Sequence, residues 1–121
     1  MDIQNIDRVP AFTTKDGSEI RELLAYRNSS IRKQSLAEAR LPVGASTAPH
    51  HHVATEEIYY VIEGRGLMRL GDESRPVSVG DAIAIPPGLL HPMTNTGPVV
   101  LKFLCCCGPA YEHSDTVLLD M

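Results

Sequence analysis

The chain has no tryptophan and few other aromatics: two phenylalanines and four tyrosines, 5% of its residues. Its core must therefore be mainly aliphatic. At 43% hydrophobic residues in 121, there are enough side chains for one domain without disulfide staples. A basic cluster is also missing. Eleven Lys and Arg stand against fifteen Asp and Glu, for a net charge of -4. That excludes a surface built to meet nucleic-acid phosphates. No apolar run approaches the roughly 20 residues that span a bilayer. The opening "MDIQNIDRVPAF" lacks the basic-then-apolar order of a secretory signal. Cysteine is scarce and oddly placed: all three are consecutive, Cys105, Cys106 and Cys107. Neighbours on a strand point to opposite faces, so this is no disulfide framework, and it fits a reducing compartment. Together these absences predict a soluble cytoplasmic protein with no nucleic-acid or membrane partner.

Glycine and proline are plentiful, nine of each, and they punctuate the chain at short intervals. Between them lie "EEIYYVIEG", "GLMRLGD", "RPVSVGD", "AIAIPPG" and "VVLKFLCCCG". Short β-prone pieces at regular spacing predict an all-β sandwich or barrel. "SEIRELLAYR" and "SLAEAR" compete for helix, but "KDGS" just before them is a hairpin signal. Residues 19 to 41 are accordingly expected to be mostly extended. In "EEIYYVIEG", alternation puts Glu57, Tyr59 and Val61 on one face and Ile58, Tyr60 and Ile62 on the other. Both faces are largely apolar, so the outer one needs a cover. A second copy of the chain or the N-terminal 40 residues can supply it, and a homodimer is expected.

Three of the five histidines stand together in "HHHVATEE", mid-chain, where a tag remnant would not lie. On a strand His50 and His52 point the same way and His51 the other. Glu57 has the wrong parity for one continuous strand, and a turn across Val53 to Glu56 would repair that. His91, after the turn residues Pro86, Pro87 and Gly88, can join them. Imidazoles with one carboxylate suit Zn, Fe, Ni, Mn or Co rather than Ca or Mg.

These positions carry a family resemblance. Gly44, five residues, His50-x-His52, four residues, Glu57, six residues and Gly64 follow the first cupin motif, over residues 44 to 64. Gly80, five residues, Pro86-x-Gly88, two residues, His91, three residues and Asn95 follow the second, over 80 to 95. The chain thus resembles a small single-domain cupin of the cupin-2 conserved-barrel kind. The resemblance implies an all-β fold, a double-stranded β-helix (jelly-roll) barrel. It implies one domain over 1-121, with N-terminal strands in 1-43 and a C-terminal strand and tail in 96-121 completing the barrel or dimer. It further implies one divalent transition metal per chain on His50, His52, Glu57 and His91.

Three histidines and a glutamate leave coordination positions free. Similar cupins include dioxygenases, isomerases, cyclases and plain binding proteins, and fold does not choose among them. The expected function is a metal-dependent enzyme, dioxygenase-like or isomerase/cyclase-like, acting on a small anionic or oxygen-rich molecule. The alternative is a non-catalytic binding or sensing module with a structural metal. Glu57 is the candidate to move a proton, and Tyr59, on its strand face, is a candidate to line the cavity. Glu56, His51 and His113 read as surface residues. Asn95 reads equally well as cavity residue or turn-end hydrogen-bonder. Cys105 and Cys107 share parity with Leu101 and Phe103 and read as core, with a role near the metal left open.

Overall fold

The computed structural model describes residues 1–119. Among these the only helical element is a 3-10 turn at His113–Asp115. The strands are β1 (Phe12–Thr13), β2 (Glu19–Leu24), β3 (Ser35–Leu41), β4 (His50–His52), β5 (Glu56–Glu63), β6 (Arg65–Leu70), β7 (Glu73–Ser78), β8 (Ala82–Ile85), β9 (Met93–Asn95), β10 (Leu101–Gly108) and β11 (Thr116–Leu118). All pairings are antiparallel. One sheet runs β1-β2-β3-β10-β5-β8, a second β7-β6-β9, and β11 pairs with β4. No helix among the described residues is long and apolar enough to cross a membrane.

Both helix-leaning stretches are strands, as expected. Branched and aliphatic residues alternate well enough to pair, and "KDGS" closes the β1–β2 hairpin with Gly17 at φ +87°. The core fills the space between the sheets: Leu41, Val61, Met93, Leu101 and Phe103 are all essentially inaccessible. Phe103, whose ring centroid is 4.6 Å from that of Tyr59, is the one large aromatic hydrocarbon there. An aromatic-poor chain thus places its bulkiest apolar ring beside the site and packs aliphatics around it.

The parity of β5 holds. Glu57, Tyr59 and Val61 are buried, while Ile58, Tyr60 and Ile62 are 51%, 42% and 38% exposed. Nothing among the described residues covers that outer face. The N-terminal strands do not fold over it; they lengthen the same sheet sideways, β3 pairing with β10. In β10, Cys105 and Cys107 face the core with Leu101 and Phe103, and Cys106 faces out.

Candidate functional site

Three segments converge on the site. β4 supplies His50 and His52, both buried because period two turns them to the same face, while His51 is only part-buried and pairs with Val117. A turn over 53–55 reverses parity and starts β5 at Glu56, so Glu57 enters the core and Glu56 stays exposed. The Pro86–Gly88 turn, with Gly88 at φ +84°, brings His91 alongside. His91 lies two residues before β9 rather than opening it. Its N–H donates to the His50 carbonyl at 3.2 Å, and the Gly88 N–H donates to the His52 carbonyl at 2.8 Å. Backbone bonds thus clamp the two histidine segments together.

Each ring is then turned by its other nitrogen. His50 Nδ1 is 3.0 Å from the Ala48 carbonyl, and His91 Nδ1 is 3.0 Å from the Leu89 carbonyl. A carbonyl can only accept, so Nδ1 carries the proton in both. Thr116 Oγ1 gives its hydrogen to the Glu112 carbonyl, which leaves it to accept from His52 Nδ1 at 3.2 Å. All three Nε2 lone pairs are therefore free to serve as ligands. The three histidines offer donor atoms within 4.8 Å of one another, an arrangement able to hold a metal ion.

Glu57 completes the cluster. Its Oε1 lies 3.2 Å from His52 Nε2 and 3.4 Å from His91 Nε2. Its Oε2 accepts the Cys107 S–H at 3.2 Å. Glu57 Oε1 and His91 Nε2 are buried without a hydrogen-bond partner. A carboxylate oxygen facing an imidazole lone pair is stable only with positive charge between them. Burial pushes the Glu57 carboxyl up, but the polar His52 and His91 rings in contact with it outweigh burial and hold the group at about 2. Burial, helped by the neighbouring His91, lowers His50 from its ordinary value and keeps it neutral for ligation. Three inward lone pairs and one orphaned carboxylate oxygen fit a borderline transition ion.

Around this cluster a cavity opens toward β2 and β3. It leaves about 40 Å³ for solvent-sized spheres, room for only a few waters at roughly 10–15 Å³ each. Tyr59 lines it, its ring centroid 5.9 Å from that of His91. Burial raises the Tyr59 hydroxyl well above its usual range, so it stays protonated. Cys105 and Cys107 also line it, and burial raises both thiols well above the ordinary range. Neither is a reactive thiolate; Cys107 acts on the site only by holding Glu57. Asn95 bonds the Leu41 and Val99 carbonyls and the Gly97 N–H, which makes it a turn-end anchor. His113 is exposed.

Sequence reading missed three participants. Asp16 sits in the β1–β2 turn with its Oδ2 3.6 Å from His50 Nε2. Tyr111 lines the same cavity, and its hydroxyl is buried without a hydrogen-bond partner. Thr116 sets the His52 ring. The pattern Thr14-x-Asp16-x-Ser18 was visible as turn chemistry, but nothing local says that the turn folds onto a histidine.

The chain is similar to several known proteins. An uncharacterized protein of Methanocaldococcus jannaschii, MJ1618, is 52% identical over 114 residues, covering 94% of this chain and 91% of that protein. An oxalate-binding protein of Thermotoga maritima is 31% identical over 86 residues, 71% of each chain. The solved structure of the polyketide cyclase RemF from Streptomyces resistomycificus superposes with a TM-score of 0.81 at 24% identity, over 100% of this chain and 87% of that one. The family model for the cupin domain matches residues 37–107. That stretch runs from mid-β3 to the end of the cysteine triplet and holds every residue of the histidine–glutamate cluster, so the chain belongs to the cupin family.

Proposed function

We propose that this cupin is a metal-dependent enzyme acting on a small oxygen-rich organic molecule, with one divalent transition ion per chain held by His50, His52, Glu57 and His91. One observation carries the reading: three imidazole lone pairs and the orphaned Oε1 of Glu57 face one another in a buried site. Zn, Fe, Ni, Mn and Co all suit that donor set. Such an ion would supply Lewis acidity, and a redox-active one would add electron transfer.

The chain's own residues supply the rest. Carbonyls and Thr116 fix the rings, so the donors need no rearrangement. Cys107 steadies Oε2 of Glu57, so Oε1 is the oxygen that would hold the ion and, on release from it, take a proton. Tyr59 offers a neutral hydroxyl as hydrogen-bond donor. The buried wall excludes bulk water. The test is metal analysis of untagged protein, followed by a metabolite screen of the Fe, Ni, Mn and Zn forms for thermal shift and product. Binding without product in every form would favour a binding module with a structural metal. The oxalate-binding relative gives that second reading its support.

Glu57→Gln tests the division of labour. The amide keeps the shape and can still accept the Cys107 S–H. It loses the charge and the basic oxygen. Metal content should fall only partly, while turnover should drop by about 10²-fold or more, the usual scale for losing a proton-transfer group. Equal loss of metal and rate would reduce Glu57 to a ligand alone.

We further propose a homodimer through the outer face of the six-stranded sheet. Leu36, Cys106, Ile58 and Ala84 lie in one cross-strand row, and Glu38, Leu104, Tyr60 and Ala82 in the next, with Glu38 neutralised by its ion pair to Arg40. A face this apolar is matched most simply by its own two-fold copy. Ile58→Asp is expected to halve the mass seen by light scattering at micromolar concentration and to spare the metal. A wild-type chain that is already monomeric there would refute the dimer.

A further inference from the structure

The cavity carries carboxylates but no cationic side chain. Asp16, Glu22, Ser18, Ser35, Tyr111 and Thr116 supply polar groups on its wall, and no Lys or Arg lines it among the described residues. The nearby cations are engaged elsewhere. Lys15 Nζ donates to the Thr116 carbonyl at 3.0 Å, and Arg27 pairs with Glu22 at 2.9 Å and Glu112 at 3.1 Å. Arg65 and Arg69, which follow the first motif, are both exposed.

Asp16 is the well-organised member of this wall. It is only 9% exposed. Its Oδ1 accepts three hydrogen bonds: from Thr14 Oγ1 at 2.6 Å, the Ser18 N–H at 2.9 Å and Ser18 Oγ at 2.6 Å. Its own carbonyl takes the Ala48 N–H at 2.7 Å, and Ala48 is the residue whose carbonyl orients His50. Asp16 and His50 are therefore positioned through the same residue. With Oδ1 saturated, Oδ2 is left as an acceptor beside the histidine cluster.

We infer that Asp16 selects an uncharged, hydrogen-donating ligand, one bearing a hydroxyl or amide beside a metal-binding oxygen, and disfavours small carboxylate anions. This rests on the metal reading above. A divalent ion's two positive charges are matched by the carboxylates of Glu57 and Asp16. An anionic ligand then adds uncompensated negative charge to a buried cavity with no basic partner, which is costly. A neutral ligand adds none, and its O–H or N–H satisfies Oδ2. The small volume confines the choice to molecules of a few heavy atoms at the metal. The sequence-based expectation of an anionic or oxygen-rich ligand is thereby narrowed to the oxygen-rich, neutral half.

Glycolamide and glycolate are probes of nearly equal size that differ in charge, and oxalate extends the series to a dianion. Their affinities for the metal-loaded chain are measured by calorimetry, with metal content checked in the same samples. Asp16→Asn keeps Oδ1 for its three donors and removes the charge. The ratio of glycolamide to glycolate affinity should fall by about tenfold or more in this variant, and oxalate should gain further. Glu22→Gln, which leaves Arg27 partly uncompensated near the same wall, should move the ratio in the same direction by less. It serves if Asp16→Asn does not fold. A ratio unchanged in a folded, metal-loaded variant overturns the role of Asp16. Tight oxalate binding by the wild type overturns the ligand class. A chain that takes up no metal at all overturns the metal reading, and this inference with it.

Discussion

Replacing His50 and His52 together by alanine is expected to lower metal content from about one ion per chain to background, by elemental analysis of untagged protein. Both donors come from β4, and two of the three inward lone pairs vanish with them. The barrel itself should persist, because β4 is held by backbone bonds to β11 and to the Gly88–His91 segment. Full metal retention in the double variant would defeat imidazole ligation. Acid should empty the wild-type site as well, since ligands must shed protons to bind. His50 is depressed below its ordinary 6.5 by burial, so it resists protonation further into the acid range than an exposed histidine. Glu57 sets a second boundary. Its folded value, about 2, lies below its ordinary 4.5. Its contribution to stability is therefore complete above about pH 4.5 and is lost as pH falls toward 2. Metal occupancy should fail first, in the histidine range, and the fold later. Occupancy independent of pH would count against histidine donors.

The second large effect is on folding. Gly64→Ala should destabilise the protein by roughly 3–4 kcal/mol, combining left-handed strain with an unrelieved overlap. Gly64 has φ +80°, and a Cβ there would lie 2.8 Å from the Val100 carbonyl oxygen and 3.1 Å from Leu101 Cα. Those are backbone atoms leading into β10, the central strand that Phe103 and Cys107 depend on, and they cannot swing aside. Gly44→Ala and Gly80→Ala are the controls. Both residues have positive φ but nothing within 4 Å of the added carbon. They should cost only about 1–2 kcal/mol each. Chemical denaturation of the three variants reads the difference, and equal losses at all three positions would show that strain, not contact, is what matters.

That contrast marks how far the sequence could be read. The three glycines look alike as motif positions, yet only one is pressed against another strand. Strand parity placed His50, His52, Glu57 and Tyr59 correctly because it is a local rule: the next residue faces the other way. It also separated Cys105 and Cys107 from Cys106, and Glu57 from Glu56. The helix-leaning stretch before residue 41 was readable as extended because a turn signal preceded it. Asp16 was not readable. "TTKDGSEI" announces a turn and is fully explained by one, and its approach to His50 depends on a hydrogen bond to Ala48 that no local pattern encodes. Tyr111 and Thr116 were hidden for the same reason. They come from a segment without regular alternation, placed by the pairing of β11 with β4. The need for a cover over Ile58, Tyr60 and Ile62 was readable from parity, and a second copy of the chain was the expected cover.

The way the histidine rings are anchored has an evolutionary consequence. His50 and His91 are each turned by the carbonyl two residues before them, and their segments are clasped by main-chain bonds. No side chain on β2 or β3 takes part in that geometry. The donor cluster is thus insulated from changes on the wall that faces it. Glu22, Ser35 and Ala37, all on those two strands, can be exchanged, enlarged or recharged without retuning the rings. A barrel arranged in this way can pass from one small molecule to another by single steps, each leaving the centre intact.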